Sequence, residues 1–422
     1  MSRLRIAFFA SIGAVAFACS SSGSDEPTPG TTGADAGTDA TTTATDAATS
    51  GDGGATTDGA TSEAGDGGCV LGPANCGACG VDCSNGACKN GICTLVDSNA
   101  IGGFYGPEAI SIVGKNVYVA VAGQPTEIGR CATNGCAGTG PTPLLSFDGG
   151  GSEEPLGITV DEASGTIVWA SYESGSTAGV HKLPVDGGAS IHLNAGHPAT
   201  YSSDVAIVGT NVVWGSDDSP GGALTCPLAG CPVGGPTVIG GLDSYARGLL
   251  VFGGDKIAIA SQGALSICTG VACAGGPRVV ADSQGLGIGA MAMAGDGKTL
   301  YWGASYPSKA IMYGRIDQDA GSGTTLVAQG QSPSSMLIVG DTLYWTLSGT
   351  DPNGPSPSFP LTVTSDGAVR KCKLPACSPV VDIAPGAAAP QGLATDGVAI
   401  YWVEVGVVGN LAGAGSVKKA PL

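Results

Sequence analysis

An all-β fold built from repeated small sheets is predicted by three features of this 422-residue chain. The first is a recurring phrase: "TLYWGAS" at 299–305 and "TLYWTLS" at 342–348 share five of their seven residues, "AIYWVEV" follows at 399–405, and "TIVWASY" at 166–172 and "NVVWGSD" at 211–217 are looser copies. The second is the period. All five tryptophans sit in this phrase, and "NVYVAVA" at 116–122 and "KIAIASQ" at 256–262 supply two more copies in which Val119 and Ile259 replace tryptophan. The anchors at 119, 169, 214, 259, 302, 345 and 402 step by 50, 45, 45, 43, 43 and 57 residues. The third is composition: 73 glycines and 26 prolines supply the turns that many short strands need, and no segment carries a helical period. A unit of this length, one small sheet that cannot bury both faces alone, is the signature of radial repetition. The prediction is a seven-bladed β-propeller of four-stranded antiparallel blades.

The chain opens with Arg3 and Arg5 and then "IAFFASIGAVAFA", an apolar run too short to cross a bilayer, which reads as a secretory signal over 1–18. Cys19 follows at once. The string "AFAC" resembles the lipobox of bacterial lipoproteins, although Phe17 stands where that family prefers a small residue and Ala16 where it prefers leucine. The resemblance implies that Cys19 carries the lipid and that Ser20 after it directs the protein to the outer membrane or cell surface. Residues 19–68 hold nine carboxylates and no Lys, Arg, Leu, Ile, Val or aromatic residue, so they cannot recover their ordering entropy and read as a disordered tether.

Beyond the tether, cysteines organise the chain. Cys69, Cys76, Cys79, Cys83, Cys88 and Cys93 crowd into 69–93, a stretch too short and too polar to form a core of its own, so bridges are expected to hold it. Six cysteines allow fifteen pairings, and spacing does not choose among them. The stretch resembles the cysteine-rich stalk modules that precede repeat domains in some bacterial lipoproteins. Eight more cysteines form four C-x4-C pairs, Cys131 with Cys136, Cys226 with Cys231, Cys268 with Cys273 and Cys372 with Cys377, each at the end of a third strand. Their recurrence in register points to disulfides that clamp the turn into the outer strand, each worth about 2 kcal/mol for so short a loop. Such usage implies an oxidising compartment.

The propeller is expected over 94–422. Each unit opens with an apolar strand, as in "AISIVG" or "MLIVGD", turns, and enters the tryptophan strand. A third strand such as "GVHKLPV" and a short fourth such as "PRVVAD" complete it. The extra length of the sixth unit lies in "SGTDPNGPSPSFPLTVTSD", read as a surface loop between its second and third strands. The seventh unit ends at Leu422 without an outer strand, and "TLVDSNAIGG" at 94–103 resembles the fourth-strand exit "TLVAQGQSPS" at 325–334. Thr94 to Asp97 is therefore expected to close the ring and remove an unpaired edge.

The "LYW" strands, extended to "YWT" by Thr346, resemble those of YWTD propellers of the low-density lipoprotein receptor class, and the general repeat resembles NHL-type propellers. The YWTD aspartate is missing: Leu347, Ala304 and Glu404 stand in its place, and seven units replace that class's six. The resemblance implies recognition by loops on one face around the axis. Those loops, entering each first strand and joining second to third strands, carry Phe104, Tyr105, Glu108, Glu153, Glu154, Tyr172, Glu173, Tyr201, Asp204, Asp217, Asp218, Tyr245, Arg247 and Tyr306. Phe104, Tyr105, Glu108, Tyr201, Asp204, Tyr245 and Arg247 are the candidate ligand-binding residues, since loop tyrosines beside carboxylates suit a protein, peptide or glycan. Tyr118, Tyr301, Tyr344 and Tyr401 repeat within the strand and read as packing residues.

Chemistry is sparse. A streptogramin-lyase or hydrolase propeller, which the repeat also loosely resembles, would present a histidine base and metal-binding carboxylates near the axis. Of His181, His192 and His197, only His197 in "NAGHPATYSSD" is a candidate, and no evident partner accompanies it. "SDDSPGG" and "SEEP" concentrate carboxylates without the alternating spacing of a calcium loop. No catalytic residue, metal or cofactor is assigned. A net charge of −18 argues against nucleic acid, and membrane association is expected through the lipid alone. The expected function is a lipid-anchored surface binding protein; a propeller enzyme and a passive envelope protein are the alternatives.

Overall fold

The computed structural model describes residues 70–96 and 106–422, apart from 123–125, 138–139, 148–153, 173–178, 196–203, 217–221, 241–245, 262–263, 283–287, 305–308, 319–322, 329–330, 332, 350–365 and 407–414. Cys19, the tether, Cys69 and residues 350–365 of the surface loop expected in the sixth unit fall outside these residues.

Seven antiparallel sheets follow one another in chain order. Their first strands are Pro107–Val113, Glu154–Asp161, Val205–Val208, Ala246–Phe252, Ile288–Met293, Pro333–Val339 and Pro390–Thr395. Each of these touches the next in turn, and the seventh touches the first, so they form the inner wall of a closed ring. The fold is the seven-bladed β-propeller.

The repeated phrase forms the second strand of every blade, and its meaning is visible in the packing. Trp169, Trp214, Trp302, Trp345 and Trp402 are the largest fully buried side chains. Each packs backward, against residues that flank the anchor of the preceding blade: Trp169 against Tyr118 and Ala120, Trp214 against Val168 and Ala170, Trp302 against Ala258 and Ala260. Because side chains alternate along a strand, the tyrosine before tryptophan faces the other way, so Tyr301 meets Trp345 and Tyr344 meets Trp402. A buried tryptophan removes on the order of 200 Å² from water. At about 25 cal/mol per Å² that is roughly 5 kcal/mol before entropy.

A basic side chain stitches neighbouring blades. Arg130 Nη1 donates to the Val185 carbonyl at 3.1 Å, Lys182 Nζ to that of Leu228 at 2.7 Å and Lys419 Nζ to that of Thr133 at 2.6 Å. All three donors stand opposite the residue that precedes the second-strand anchor, namely Tyr118, Val168 and Tyr401. In the fourth blade Ile267 occupies that place, and the cation has moved to its cross-strand neighbour Arg278, which donates to the carbonyls of Ile316 and Gln318 in the fifth.

The four C-x4-C pairs are bonded, Cys131–Cys136, Cys226–Cys231, Cys268–Cys273 and Cys372–Cys377. Two bridges hold the upstream segment, Cys76–Cys88 and Cys83–Cys93, and Cys79 is disulfide-bonded as well. Together they point to an extracellular or otherwise oxidising compartment.

The seventh sheet has five strands, ordered Ala87–Lys89, Ile92–Val96, Ser416–Pro421, Ala399–Glu404 and Pro390–Thr395. Ring closure thus comes from Ile92–Val96, beginning two residues before the expected Thr94, and Asp97 lies outside the described residues. The boundary expected between 93 and 94 falls inside this strand, because Cys93 pairs with Lys419 in its ladder. Nor is the cysteine-rich segment a separate stalk: Cys76, Val81, Cys83 and Cys93 share one buried cluster with Val117 and Cys131 of the first blade and Tyr401 and Val417 of the seventh. A segment too small for its own core has borrowed one at the seam.

Candidate functional site at the axial mouth

The inner strands enter the ring from the face where the recognition loops were expected. Taking the residue paired with each second-strand anchor as reference (Ile110, Ile158, Val205, Leu249, Met291, Met336 and Leu393), the residue one step earlier is Ala109, Gly157, Asp204, Gly248, Ala290, Ser335 or Gly392. Six of the seven are small, and the geometry requires it. A Cβ on Gly248 would lie 2.4 Å from the Gly289 carbonyl oxygen of the neighbouring blade. Asp204 is the exception. It reaches across the same crowded level, and its Oδ2 accepts from Leu249 N–H at 3.0 Å.

One step earlier still lies the entry to the ring, and register shifts interrupt the pairing of the inner strands there or at the adjacent residue in the six blades other than the third, the skipped residue being Gly392 in the seventh. Bulges of this kind re-aim side chains. The positions read Glu108, Leu156, Arg247, Gly289, Ser334 and Gln391 around the ring, with the third-blade position outside the described residues. Unlike the tryptophan strand, this level follows no repeat.

Both levels open on one cavity of about 390 Å³, lined by Glu108, Leu156, Asp204, Gly289, Ser334 and Gln391 among others, from every blade but the fourth. Glu108 is buried. Burial pushes the Asp204 carboxyl up to about 6, against the opposing pull of the Leu249 N–H. Ser334 Oγ donates to the Pro390 carbonyl at 3.0 Å and pairs with Thr346 Oγ1 at 2.8 Å, while Ser335 Oγ accepts from Leu393 N–H at 3.1 Å. The two serines therefore tie the sixth blade to the seventh as well as lining the wall.

Of the candidate ligand-binding residues, the structure brings Glu108 and Asp204 to this cavity. Arg247 holds the equivalent strand position in the fourth blade; its side chain, like Phe104, Tyr105, Tyr201 and Tyr245, lies outside the described residues. Gly289, Ser334 and Gln391 were not singled out from the sequence, although aligning the inner strands on the tryptophan period finds them. Glu404 is structural: its Oε1 accepts from Trp402 Nε1 at 3.1 Å and its Oε2 from Lys418 Nζ at 2.8 Å. Tyr118, Tyr301, Tyr344 and Tyr401 are buried between blades. His181 and His192 are cross-strand partners in the second blade with rings 4.3 Å apart, and His181 stacks on Trp169. They pack at the blade's outer part. His197 lies outside the described residues.

No family model matches the sequence, and no curated protein does. Among solved structures the chain is similar to the computationally designed Ika8 protein, with 13% identity over 78% of this chain and 99% of that one at a TM-score of 0.50. It is similar also to virginiamycin B lyase from Staphylococcus aureus, with 12% identity over 77% and 97% at a TM-score of 0.50. At such identities the likeness is one of fold.

Proposed function

We propose that this protein is an exported, lipid-anchored binding protein that recognises a protein, peptide or glycan at the axial mouth of its propeller. The observation that supports this reading is a contrast within the same strands: packing positions repeat from blade to blade, whereas at the entry level of the axial cavity the lining residues Glu108, Leu156, Gly289, Ser334 and Gln391 are all different. A wall that served only to close the ring would be free to repeat as the tryptophan strands do. Convergent, non-equivalent polar groups in a concave site are what ligand recognition uses.

The test exploits Gly289, which lines the cavity and has open space where a side chain would project. Gly289→Phe should plug the cavity without strain. Saturable binding of the full chain to a defined panel of glycans and peptides should fall at least tenfold in this variant while its melting temperature stays within about 2 °C. Binding that survives the plug would remove the site from the axis. The same panel separates the alternatives, because turnover of a panel member would make the mouth an active site; the similarly folded virginiamycin B lyase is by its name an enzyme. Absence of any saturable binding would favour a passive envelope protein. Anchoring at Cys19 is checked by fatty-acid labelling, which Cys19→Ser should abolish.

A further inference from the structure

In six blades the chain runs directly from third to outer strand through a turn. In the first, third, fourth and sixth of them a cystine clamps that turn, with Cys131, Cys226, Cys268 and Cys372 all at the same third-strand position. In the seventh blade Ala420 occupies that position, and the outer strand Ile92–Val96 comes from upstream of the first blade. The outer strand of this blade, which also leads into the first blade, is thus held by a non-covalent ladder, Cys93 with Lys419, Thr94 with Lys418 and Val96 with Val417.

We propose that the Cys83–Cys93 cystine is a redox latch on the ring, so that the propeller closes stably only after this bridge has formed. Four contacts converge on it. Cys93 is itself a member of the closing ladder, and the bridge ties it to the loop at 81–86. From that loop the Asp82 carbonyl accepts from the buried Lys419 Nζ at 2.7 Å, on the other side of the ladder. Asn85 N–H donates to the Asn134 carbonyl at 3.0 Å, and the Asn85 carbonyl accepts from Ala137 N–H at 3.0 Å, which docks the loop on the first blade's cystine turn. The packing there is close: a Cβ on Gly135 would meet the Asn85 carbonyl at 2.3 Å, and one on Gly86 would stand 3.1 and 3.3 Å from the Cys83 and Cys93 sulfurs. Without the bridge, the loop that caps Lys419 would be joined to the closing strand only through the short hairpin of Ala87–Lys89 with Ile92–Val96, a ladder of three residue pairs, and the Cys76–Cys88 bridge reaches neither the loop's Cys83 nor Cys93.

Closure then has a redox balance. The Cys83 and Cys93 thiols lose two protons and two electrons as their S–S bond forms, by thiol–disulfide exchange with a disulfide-bearing oxidant that is reduced to a dithiol. Such oxidants act in exported compartments, so the ring would stay open at the seam until the chain has left the reducing cytoplasm.

Hydrogen exchange on the full chain tests the latch. In Cys83→Ala/Cys93→Ala, amides of Ser416–Pro421 and Ile92–Val96 should exchange at least tenfold faster, with Thr299–Ala304 and Ala310–Arg315 across the ring changed less than twofold. Cys268→Ala/Cys273→Ala should leave the seam unchanged. An unaltered seam in the first variant, or acceleration spread evenly over all blades, would overturn the proposal. Should that variant not accumulate folded, graded reduction of the native chain gives the same decision. Seam opening that tracks the loss of Cys83–Cys93, read by mass spectrometry of alkylated thiols, supports the latch, and opening that precedes or ignores it refutes it.

Discussion

Lys419 Nζ donates to the carbonyl of Asp82 across 337 residues of sequence, at 2.7 Å. The same ammonium donates to Thr133 and lies 5.3 Å from the ring centroid of Tyr401, whose hydroxyl donates to Asp396 Oδ2 at 2.6 Å. One side chain therefore joins the cysteine-rich segment, the last blade and the first. Burial lowers the Lys419 pKa, opposed by the charges of Asp396 and Asp82.

Lys419→Met keeps the apolar stem but leaves the half-buried carbonyls of Asp82 and Thr133 without their donor. A loss of about 2–3 kcal/mol is expected from the unmade bonds. Chemical denaturation at neutral pH measures it. Lys371→Met, at the equivalent position of the sixth blade where the ammonium lies 5.8 Å from the Tyr344 ring centroid, should cost less than about 1 kcal/mol.

Asp204 supplies a pH signature. Its folded pKa of about 6 lies above the ordinary 3.8, so the folded chain holds this proton more tightly than the unfolded one. The stabilisation is complete below about pH 4 and is lost as pH rises to 6, by up to about 3 kcal/mol at 1.36 kcal/mol per unit. Asp204→Asn retains an oxygen that can accept from Leu249 and has no proton to lose. It should be more stable than the native protein at pH 7, and the two stability curves should converge toward pH 4. Parallel curves across that window would show that Asp204 ionises normally.

The axial level of small residues predicts a sharp asymmetry between two glycines. Gly248→Ala places a Cβ 2.4 Å from a carbonyl oxygen of the adjacent blade and should destabilise by more than about 2 kcal/mol, since backbone must move. Gly289→Ala meets nothing within 4 Å and should stay within about 0.5 kcal/mol of native. Thermal melts of the two variants decide it.

Replacing Phe104, Tyr105, Tyr201 and Tyr245 together by serine should weaken ligand capture at least tenfold while the melting temperature holds nearly constant. Loss of both in equal measure, read by binding isotherms beside calorimetry, would mean that these residues support the fold instead.

Sequence alone determined the blade count, the second strands, the four cystine clamps and the fact of closure by a segment upstream of the first unit. These are local or periodic properties: alternation, tryptophan spacing and cysteine register repeat, and repetition makes a weak signal legible. Only the tertiary structure decided what lies at the two places where the repeat is broken. At the axis, Ser334, Gln391 and Asp204 come together from separate blades by the curvature of the ring, which no single unit encodes. At the seam, spacing left the pairing of Cys83 with Cys93 open among fifteen although they stand 10 residues apart, and Lys419 reaches Asp82 across 337 residues; spacing along the chain carries no record of which distant surface a short cysteine-rich segment will use to bury its few apolar side chains.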